Sequence, residues 1–300
     1  MRNTSFRCLF RLVTLLTVAT SPALADNYIK IGAWNIQNLG DRTLGQFPAA
    51  LAEHVFVADL DVLCLEEIWD TDGNDATITS TKLDETFERV NHEPGHDWTY
   101  VLFPKRDPTE LMQHVGIAWN RKRLQMVGEP LRIPVEYANE ETWKRTPYAA
   151  KFSVGDGATD FVLIPLHMKS NRPVEGLPEP VELRTAEAIA LGRYLQSVRD
   201  HFQDQDLILL GDLNCLKADE PALETLLAAG FKDLNNEDAI TYRTTKYLSP
   251  FDRILVPLEQ SEFRYSEQYI LTPARGKQHF NRYSDHFLVL TAIRVLADDD

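Results

Sequence analysis

Leu207-Ile-Leu-Leu-Gly-Asp-Leu-Asn214 is a short apolar run that ends in polar residues. An aliphatic run of this length is typical of a strand that is buried on both faces. A chain that leaves such a strand emerges at a sheet edge, where side chains can converge on a ligand. Asp212 and Asn214 alternate with Leu213 and are therefore predicted to face the same way. The stretch predicts a sheet-based fold with a functional site at a strand end.

The same arrangement of an apolar run beside polar residues recurs along the chain. It is found at Asn35 within Ile31–Gly40, Glu67 after Val62–Glu66, His167 after Phe161–Leu166, Asp252 within Phe251–Val256, and Asp285-His286 before Phe287–Leu290. Two histidines with several carboxylates and carboxamides, all at strand ends, indicate one hydrolytic metal site.

Strand-like segments outnumber helices. Strands are predicted at Tyr28–Ala33, Val62–Leu65, Thr99–Phe103, Val115–Trp119, Ala149–Val154, Phe161–Leu166, Leu207–Leu210, Arg253–Val256 and Phe287–Ile293. Helices are predicted at Pro48–Ala58, at Glu182–Arg199 with an apolar stripe, and at Pro221–Ala229 before Gly230. Many strands and few helices in mixed order predict an α/β fold with sheets as the main core.

The first 25 residues have the pattern of a secretory signal peptide. Three arginines precede or flank a short apolar stretch, and Ser21-Pro-Ala-Leu-Ala25 resembles a cleavage site. The apolar stretch is shorter than the roughly 20 residues of a membrane-spanning helix. We therefore expect a signal peptide over residues 1–25, a single domain over residues 26–300, and a secreted or periplasmic protein.

The chain is acidic, with 45 Asp and Glu against 31 Lys and Arg and a formal net charge of −14. The basic surface of a tight nucleic-acid binder is missing, which argues against a stable nucleic-acid complex. A nuclease is still compatible with this charge, because a catalyst that turns over needs only local positive potential. The sequence does not predict the oligomeric state.

Cys64 and Cys215 are the cysteines that remain after removal of the signal peptide. An oxidising compartment would allow them to pair, and each lies near a proposed site residue. The alternative is two small buried hydrophobic residues. We predict that they are close enough to pair.

Seven motifs in order resemble the endonuclease/exonuclease/phosphatase superfamily, on the deoxyribonuclease I-like side. They are Trp34–Gly40, Leu65–Ile68, Arg145–Phe152, Leu166–Ser170, Gly211–Asn214, Phe251–Val256 and Ser284–His286. The resemblance implies a four-layer sandwich of two packed mixed β-sheets flanked by helices, with the site at one end.

The resemblance also implies a role for each site residue. Glu67, Asn35 and Asp285 would bind a metal, which for oxygen ligands is Mg²⁺, with Mn²⁺ or Ca²⁺ as alternatives. Arg145, Asn35 and the weaker candidate Lys169 would bind phosphate. The residues that would act in catalysis are His167, His286, Asp252, Asp212 and Asn214. Asp252 would orient His286 as base and His167 would act as acid, although the two histidine roles could be reversed.

Three residues depart from the pattern of the family. Gln113 lies near the position of a Glu that supports the acid histidine, and a carboxamide cannot stabilise an imidazolium by charge. Trp69 replaces an Arg used in the minor groove, and Gln37 replaces an Asp that supports metal. These changes keep the hydrolytic core and weaken the prediction of a double-stranded DNA substrate.

The sequence therefore predicts an exported, divalent-metal-dependent phosphodiesterase, with nucleic acid, DNA or RNA, as the expected substrate. A phospholipid phosphodiesterase of the sphingomyelinase kind and a phosphomonoesterase are alternatives, because they would use the same core. A non-catalytic binding module is the alternative from a different class, and it is disfavoured because the core residues are all present.

Overall fold

The computed structural model describes residues 27–71, 77–105, 113–135, 142–272 and 283–298. The predicted signal peptide of residues 1–25 lies outside the described residues. The strands are β1 Tyr28–Leu39, β2 Val62–Trp69, β3 Trp98–Leu102, β4 Gln113–Asn120, β5 Gln125–Arg132, β6 Tyr148–Ser153, β7 Asp160–His167, β8 Leu207–Asp212, β9 Phe231–Asp233, β10 Tyr242–Arg243, β11 Leu248–Ser249, β12 Asp252–Pro257, β13 Tyr269–Leu271 and β14 Leu288–Arg294. The helices are α1 Pro48–Ala58, α2 Thr81–Asn91, α3 Pro180–Gly192, α4 Leu195–Phe202 and α5 Pro221–Ala228, with a 3₁₀ turn at Ser261–Phe263.

Two mixed sheets of six strands each form the centre of the molecule. The first sheet has the strand order β13-β14-β1-β2-β4-β3, and the second has the order β5-β6-β7-β8-β12-β9. Each sheet contains one parallel pair, β1 with β2 and β7 with β8, and its other pairs are antiparallel. The short strands β10 and β11 form a separate hairpin.

Alternating side chains on the central strands build an apolar core on each side of each sheet. On β8, Ile208 and Leu210 pack between the two sheets, whereas Leu207 and Leu209 pack against the helices. The same division holds on β2, where Val62 faces the other sheet. Strands buried on both faces read as continuous apolar runs, which explains why they could be recognised in the sequence.

The helices cover the outer faces of the two sheets. Residues of α1 and α2 pack on the first sheet, and residues of α3, α4 and α5 pack on the second. The result is four layers, helix, sheet, sheet and helix, and the predicted fold class is confirmed. Among the described residues, none of the helices has the length and apolar character needed to cross a membrane.

The predicted helix at Glu182–Arg199 is two helices, because α3 ends at Gly192 and α4 begins at Leu195. Glycine propagates a helix poorly, and a break follows it here. The predicted apolar stripe is nevertheless correct, since its residues all pack in the outer core of the second sheet. Helix α2 was missed, although its buried residues Leu83, Phe87 and Val90 have helical spacing.

The edge strand β5 was also missed by the sequence analysis. It is mostly exposed and contains Gly128 and Pro130, two residues that weaken a strand prediction. The pairing of β5 with β6 shifts register between Val127 and Leu131, across this Gly-Pro segment.

The two cysteines are free, and the prediction that they can pair was wrong. Cys64 is buried between the two sheets, whereas Cys215 is buried between the second sheet and its helices. A sheet layer therefore separates the thiols, and strand-end proximity did not bring them together. Burial raises the pKa of both thiols well above the usual range. Both behave as small buried hydrophobic residues.

Candidate active site

The predicted site residues meet at one end of the sandwich because of how the strands run. The parallel strands β1 and β2 end at the same edge, and so do β7 and β8. Strand β12 is antiparallel to β8, so its first residue, Asp252, lies opposite the last residue of β8, Asp212. Strand β14 is antiparallel to β1, so Asp285 and His286, which precede it, reach the same end. Both sheets therefore contribute to a single cluster.

A break in strand alternation decides which way the two neighbouring glutamates point. The pairing of β2 with β4 shifts register between Leu65 and Ile68, and Glu67 has a φ of 61°. Glu66 is fully buried and accepts a hydrogen bond at 2.9 Å from the backbone N–H of Asp212 in the other sheet. Glu67 remains partly exposed and contacts Asn35. Glu67 therefore points toward the site, in agreement with the choice made from the sequence. The irregularity in β2 interrupts the alternation of side chains between the two faces of the strand.

Gly211 makes room for the buried glutamate. A Cβ atom at this position would lie 2.3 Å from Glu66 Oε1 and 2.3 Å from the carbonyl oxygen of Leu166. The φ of Gly211 is +133°, which side chains other than glycine rarely adopt. The glycine before Asp212 is therefore required both by the backbone conformation and by the close approach of Glu66.

Asn35 joins the carboxylates of the two sheets. Its Nδ2 group donates to Glu67 Oε1 at 3.1 Å and to Asp212 Oδ2 at 3.1 Å. Its Oδ1 atom accepts the N–H of Gln37 at 3.0 Å, which fixes the orientation of the amide. The Ser284 hydroxyl donates to the carbonyl oxygen of Asn35 at 2.6 Å. This arrangement ties the end of β1 to the segment that carries Asp285 and His286.

His286 lies between two carboxylates. Its Nδ1 atom is 2.9 Å from Asp252 Oδ2, and its Nε2 atom is 3.8 Å from Asp212 Oδ2. Burial alone would lower the pKa of His286, but the charges of Asp252 and Asp212 raise it well above the usual value. The two carboxylates therefore favour the protonated form of this imidazole.

His167 has a different environment although its ring is only a few ångströms away. Its Nε2 atom is 3.6 Å from Asp212 Oδ2 and 3.8 Å from Glu67 Oε1, while its Nδ1 atom is buried without a hydrogen-bond partner among the described residues. Burial, together with the positive charges of Arg145 and His286, lowers the pKa of His167 well below the usual value. At neutral pH this imidazole is uncharged.

Arg145 reaches the same cluster from the segment before β6. Its pKa is lowered by burial, which the nearby carboxylates of Glu67 and Asp212 oppose. The guanidinium donates to Gln113 Oε1, and Gln113 donates in turn to Asn38 Oδ1 at 2.7 Å. Gln113 therefore binds Arg145. Among the described residues, no carboxylate takes the place of the family's Glu beside His167 Nδ1.

Lys169 and Asn214 lie at the same end but take part in loop structure. The ammonium group of Lys169 donates to the carbonyl oxygens of Ser170 at 3.1 Å and Arg172 at 2.8 Å. Asn214 has a φ of 55°, and its side chain donates to the carbonyl oxygen of Met168 at 3.2 Å. Strand β8 already ends at Asp212, so the alternation used to predict a common direction for Asp212 and Asn214 does not extend to Asn214.

Residues 32–286 match the model of the Endonuclease/Exonuclease/phosphatase family. The chain belongs to this family. Membership confirms the resemblance seen in the sequence and supports a phosphoric ester hydrolase.

Two curated relatives of this family member are deoxyribonucleases by name. The mouse protein deoxyribonuclease-1-like 2 is 25% identical over 276 residues, which cover 87% of this chain and 90% of the relative. A deoxyribonuclease from Thioalkalivibrio is 24% identical over 254 residues, which cover 83% of this chain and 63% of the relative.

A similar solved structure is the mannosyl-6-phosphatase from Bacteroides thetaiotaomicron, with a TM-score of 0.61 and 15% identity. The match covers 88% of this chain and 99% of the phosphatase. At 15% identity, this similarity shows a shared fold and not a shared activity. The fold is thus shared with a phosphatase, and it does not by itself select a nuclease.

The donor set of this family member fits a hard divalent cation. Glu67, Asp212 and Asp285 offer carboxylate oxygen atoms, which are the ligands that Mg²⁺ prefers, whereas Asn35 presents its Nδ2 group to Glu67 and Asp212, so its amide would have to turn over to give oxygen to a cation between them. Asp212, Asp252 and His286 also form a group whose ligand atoms lie within 4.8 Å of one another. In that group His286 Nδ1 is hydrogen-bonded to Asp252, and its Nε2 atom faces Asp212 at 3.8 Å.

Burial among like charges raises the pKa of the remaining acids. Burial, opposed by His286 and reinforced by Asp252 and Glu67, raises the pKa of Asp212 to about 7. Burial raises the pKa of Glu66 well above the usual value, with Asp212 adding to the effect, and burial also raises the pKa of Asp285. A cluster that favours protonation in this way is one that a bound cation would stabilise in its charged form.

Two contributors to the site were not found from the sequence. Tyr242 packs on His286 with ring centroids 4.8 Å apart, and burial with nearby carboxylates raises its pKa to about 12. It lies in the two-residue strand β10, outside any apolar run, so no sequence pattern pointed to it. Glu187 was likewise missed, because only the fold brings helix α3 behind the site.

Glu187 holds two segments of the site from behind. Its carboxylate accepts the N–H of Trp143 at 2.6 Å and the N–H of Lys169 at 2.8 Å. Burial raises the pKa of Glu187 to about 7. The two bonds tie together the chain before Arg145 and the chain after His167.

Proposed function

We propose that this protein is a divalent-metal-dependent phosphodiesterase that acts as a nuclease. The observation that carries the proposal is the set of groups around Asp212 Oδ2. Asn35 Nδ2 lies at 3.1 Å, His167 Nε2 at 3.6 Å and His286 Nε2 at 3.8 Å from this oxygen. A carboxylate, two imidazoles whose pKa values are shifted in opposite directions and a bridging amide can transfer the protons of phosphodiester hydrolysis by water.

The ligands proposed for the cation are Glu67, Asn35 and Asp285. When bound, a divalent cation supplies charge stabilisation to the phosphate oxygens, which is the main requirement of this reaction class. Arg145 would bind a second phosphate oxygen, because a guanidinium offers two parallel donors. Lys169 is a weaker candidate for phosphate binding, since its ammonium group already donates to main-chain oxygens. Asn214 is a weaker candidate to orient the attacking water together with Asp212, since its side-chain amide already donates to the carbonyl oxygen of Met168.

The two imidazoles handle the protons. The pKa directions support His286 as the proton donor, because it carries a proton at rest, and His167 as the proton acceptor, because it does not. This is the reverse of the assignment preferred from the sequence. The physical reason is that Asp252 and Asp212 flank His286, whereas Arg145 and burial act on His167.

We also propose that the chain is exported and that residues 26–300 form its mature domain. The support is the sequence pattern of residues 1–25 and the position of the family match at 32–286, beyond the predicted cleavage point. Mass spectrometry of the exported protein tests this, because cleavage as proposed leaves Asp26 as the first residue. An exported chain that still begins with Met1 would contradict it.

A substrate panel tests the proposed activity. The panel contains a single-stranded oligonucleotide, a duplex, a ribonucleotide strand, bis(p-nitrophenyl) phosphate, p-nitrophenyl phosphate and sphingomyelin vesicles. Each is assayed with Mg²⁺, Mn²⁺ or Ca²⁺ and with EDTA, and the double variant with both His167 and His286 replaced by Ala is the control for contaminating enzymes.

The outcomes of the panel separate the alternatives. The proposal expects cation-dependent cleavage of nucleic acid and of the aryl diester, with both lost in EDTA and in the double variant. Hydrolysis of the monoester alone would replace the nuclease by a phosphomonoesterase, and hydrolysis of sphingomyelin alone would replace it by a phospholipid phosphodiesterase. A chain that hydrolyses none of these substrates with any of the three cations would favour the non-catalytic binding module.

A further inference from the structure

A cavity of about 620 Å³ lies beside the candidate active site, at the exits of β1 and β2. Gly40, Arg42, Trp69, Asp70 and Lys82 are among the residues that line it. This volume is in the usual range of small-molecule and cofactor sites. None of the lining residues has been given a role in the hydrolytic reaction above.

Trp69 is a large aromatic side chain that the fold does not use for its core. It is partly exposed, and it lies outside the three apolar cores formed by the described residues. Its indole N–H donates to Asn38 Oδ1 at 3.2 Å, so the ring is held in one orientation at the cavity. An indole whose polar group is satisfied and whose ring lines an open cavity presents a flat apolar surface to a ligand.

A chain of hydrogen bonds connects this ring to the proposed phosphate clamp. Asn38 Oδ1 accepts from Trp69 Nε1 and also from Gln113 Nε2, and Gln113 in turn holds Arg145. The backbone N–H of Asn38 donates to Glu67 Oε2 at 3.1 Å. Trp69 is thus linked to Arg145 through Asn38 and Gln113.

The cavity wall carries charges of both signs. Arg42 and Lys82 supply two cations. The acids on the same wall take part in turns: Asp41 Oδ1 accepts the N–H and the hydroxyl of Thr43, each at 2.8 Å, and Asp70 Oδ1 accepts the N–H of Thr79 at 3.3 Å. A positive side chain beside an aromatic platform is the combination used to bind single nucleic-acid strands.

We infer that this cavity is a subsite for an unpaired nucleotide next to the scissile phosphate, with its base stacked on Trp69 and its backbone near Arg42 and Lys82. The inference rests on the proposed function and narrows it to a substrate with single-stranded character. A base that is already paired in a duplex is stacked on its neighbours and has no free face for the indole. A stacking platform therefore favours a single strand over a duplex.

The test compares Trp69→Ala and Trp69→Phe on three substrates, which are a single-stranded oligonucleotide, the same sequence as a duplex, and bis(p-nitrophenyl) phosphate. Base stacking on an aromatic side chain contributes about 1–3 kcal/mol per base, so kcat/KM of Trp69→Ala on the single strand should fall about 10- to 100-fold. The duplex should be affected less. Hydrolysis of the aryl diester, which has no base, should stay within about two-fold, and Trp69→Phe should recover much of the loss because stacking needs only a flat ring.

Tyr265→Ala is the matched control. Tyr265 is an exposed aromatic residue, and the hydroxyl of its neighbour Ser266 donates to the carbonyl oxygen of Ala292. Ala292 pairs with Lys30 near the start of β1, which is the end of the sandwich opposite to the site. This variant should leave all three substrates unchanged.

Three results would overturn the subsite. The first is an unchanged single-strand kcat/KM in Trp69→Ala, and the second is an equal loss on all three substrates, which would mean that Trp69 only supports Arg145. The third is a Trp69→Phe variant that recovers none of the single-strand loss. Failure of the proposed function is distinguishable, because wild-type protein would then hydrolyse no nucleic acid, whether single-stranded or duplex.

Discussion

Adjacent glutamates at the end of β2 allow a sharp test of the proposed metal site. Glu67→Gln removes a carboxylate that contacts Asn35 at the site, and Glu66→Gln changes its fully buried neighbour. The two substitutions have the same chemistry and lie one residue apart. Glu66 contacts the backbone N–H of Asp212 through one oxygen, which a carboxamide oxygen can replace. Burial also raises the pKa of Glu66 well above its usual value, so removal of its charge should disturb the site less than removal of the Glu67 charge.

The expected effect on metal binding follows from the loss of one charge. Polar groups of the site approach Glu67 to about 4 Å, as the 3.8 Å distance from its Oε1 to His167 Nε2 illustrates. Two unit charges about 4 Å apart interact by about 4 kcal/mol at an effective dielectric constant of about 20. Because a divalent cation carries two charges, Glu67→Gln should weaken its binding by at least about three powers of ten, while Glu66→Gln should change it by less than about three-fold.

Isothermal titration with Mg²⁺ and Mn²⁺ measures this difference directly, and the cation dependence of hydrolysis gives a second reading. Circular dichroism of both variants controls for folding. The reasoning would be refuted if Glu67→Gln bound the cation as wild type does. It would be equally refuted if a folded Glu66→Gln variant lost as much affinity as Glu67→Gln.

Three further predictions concern the proton carriers, the glycine under the site and the thiols. His286→Ala should lose about 10²- to 10⁴-fold activity on an alkyl phosphodiester and much less on bis(p-nitrophenyl) phosphate, because the good leaving group of the aryl diester needs little acid. His167→Ala should lose activity on both substrates. The opposite pattern in steady-state kinetics would restore the assignment preferred from the sequence. Gly211→Ala should lower the free energy of unfolding in urea by at least about 1 kcal/mol more than Gly230→Ala. Both glycines have a positive φ, but an added Cβ would contact other atoms only at Gly211. Equal losses in the two variants would exclude the clash. The mature chain should show two thiols to Ellman's reagent under denaturing, non-reducing conditions, and a count of zero would restore the disulfide.

The apolar runs made the central strands visible in the sequence. Strands buried on both faces need uninterrupted aliphatic residues, so β7 and β8 could be located without the structure. The polar residues that follow such runs were recognisable for the same reason, since they interrupt the apolar pattern where the chain reaches the edge of the sheet. Strand order was not readable, because pairing joins segments that are far apart in the chain.

Local irregularities in the strands and electrostatic effects between distant residues could be identified only from the tertiary structure. The register shift at Glu67 and the end of β8 at Asp212 depend on neighbouring strands rather than on local sequence. The charges of the two histidines likewise depend on which groups the other sheet brings near them. Tyr242 and Glu187 join the site from a two-residue strand and from an outer helix, where no apolar run marks a strand end.

The sequence by itself determined the layered α/β class, the polar strand ends and the family, because alternation and apolar runs are properties of consecutive residues. Only the tertiary structure decided that Cys64 and Cys215 lie on opposite sides of a sheet, that Glu66 is buried beneath the site, and that the pKa values of His286 and His167 are shifted in opposite directions. Burial and electrostatic interaction depend on distances between residues that are remote in the chain, and folding alone sets those distances.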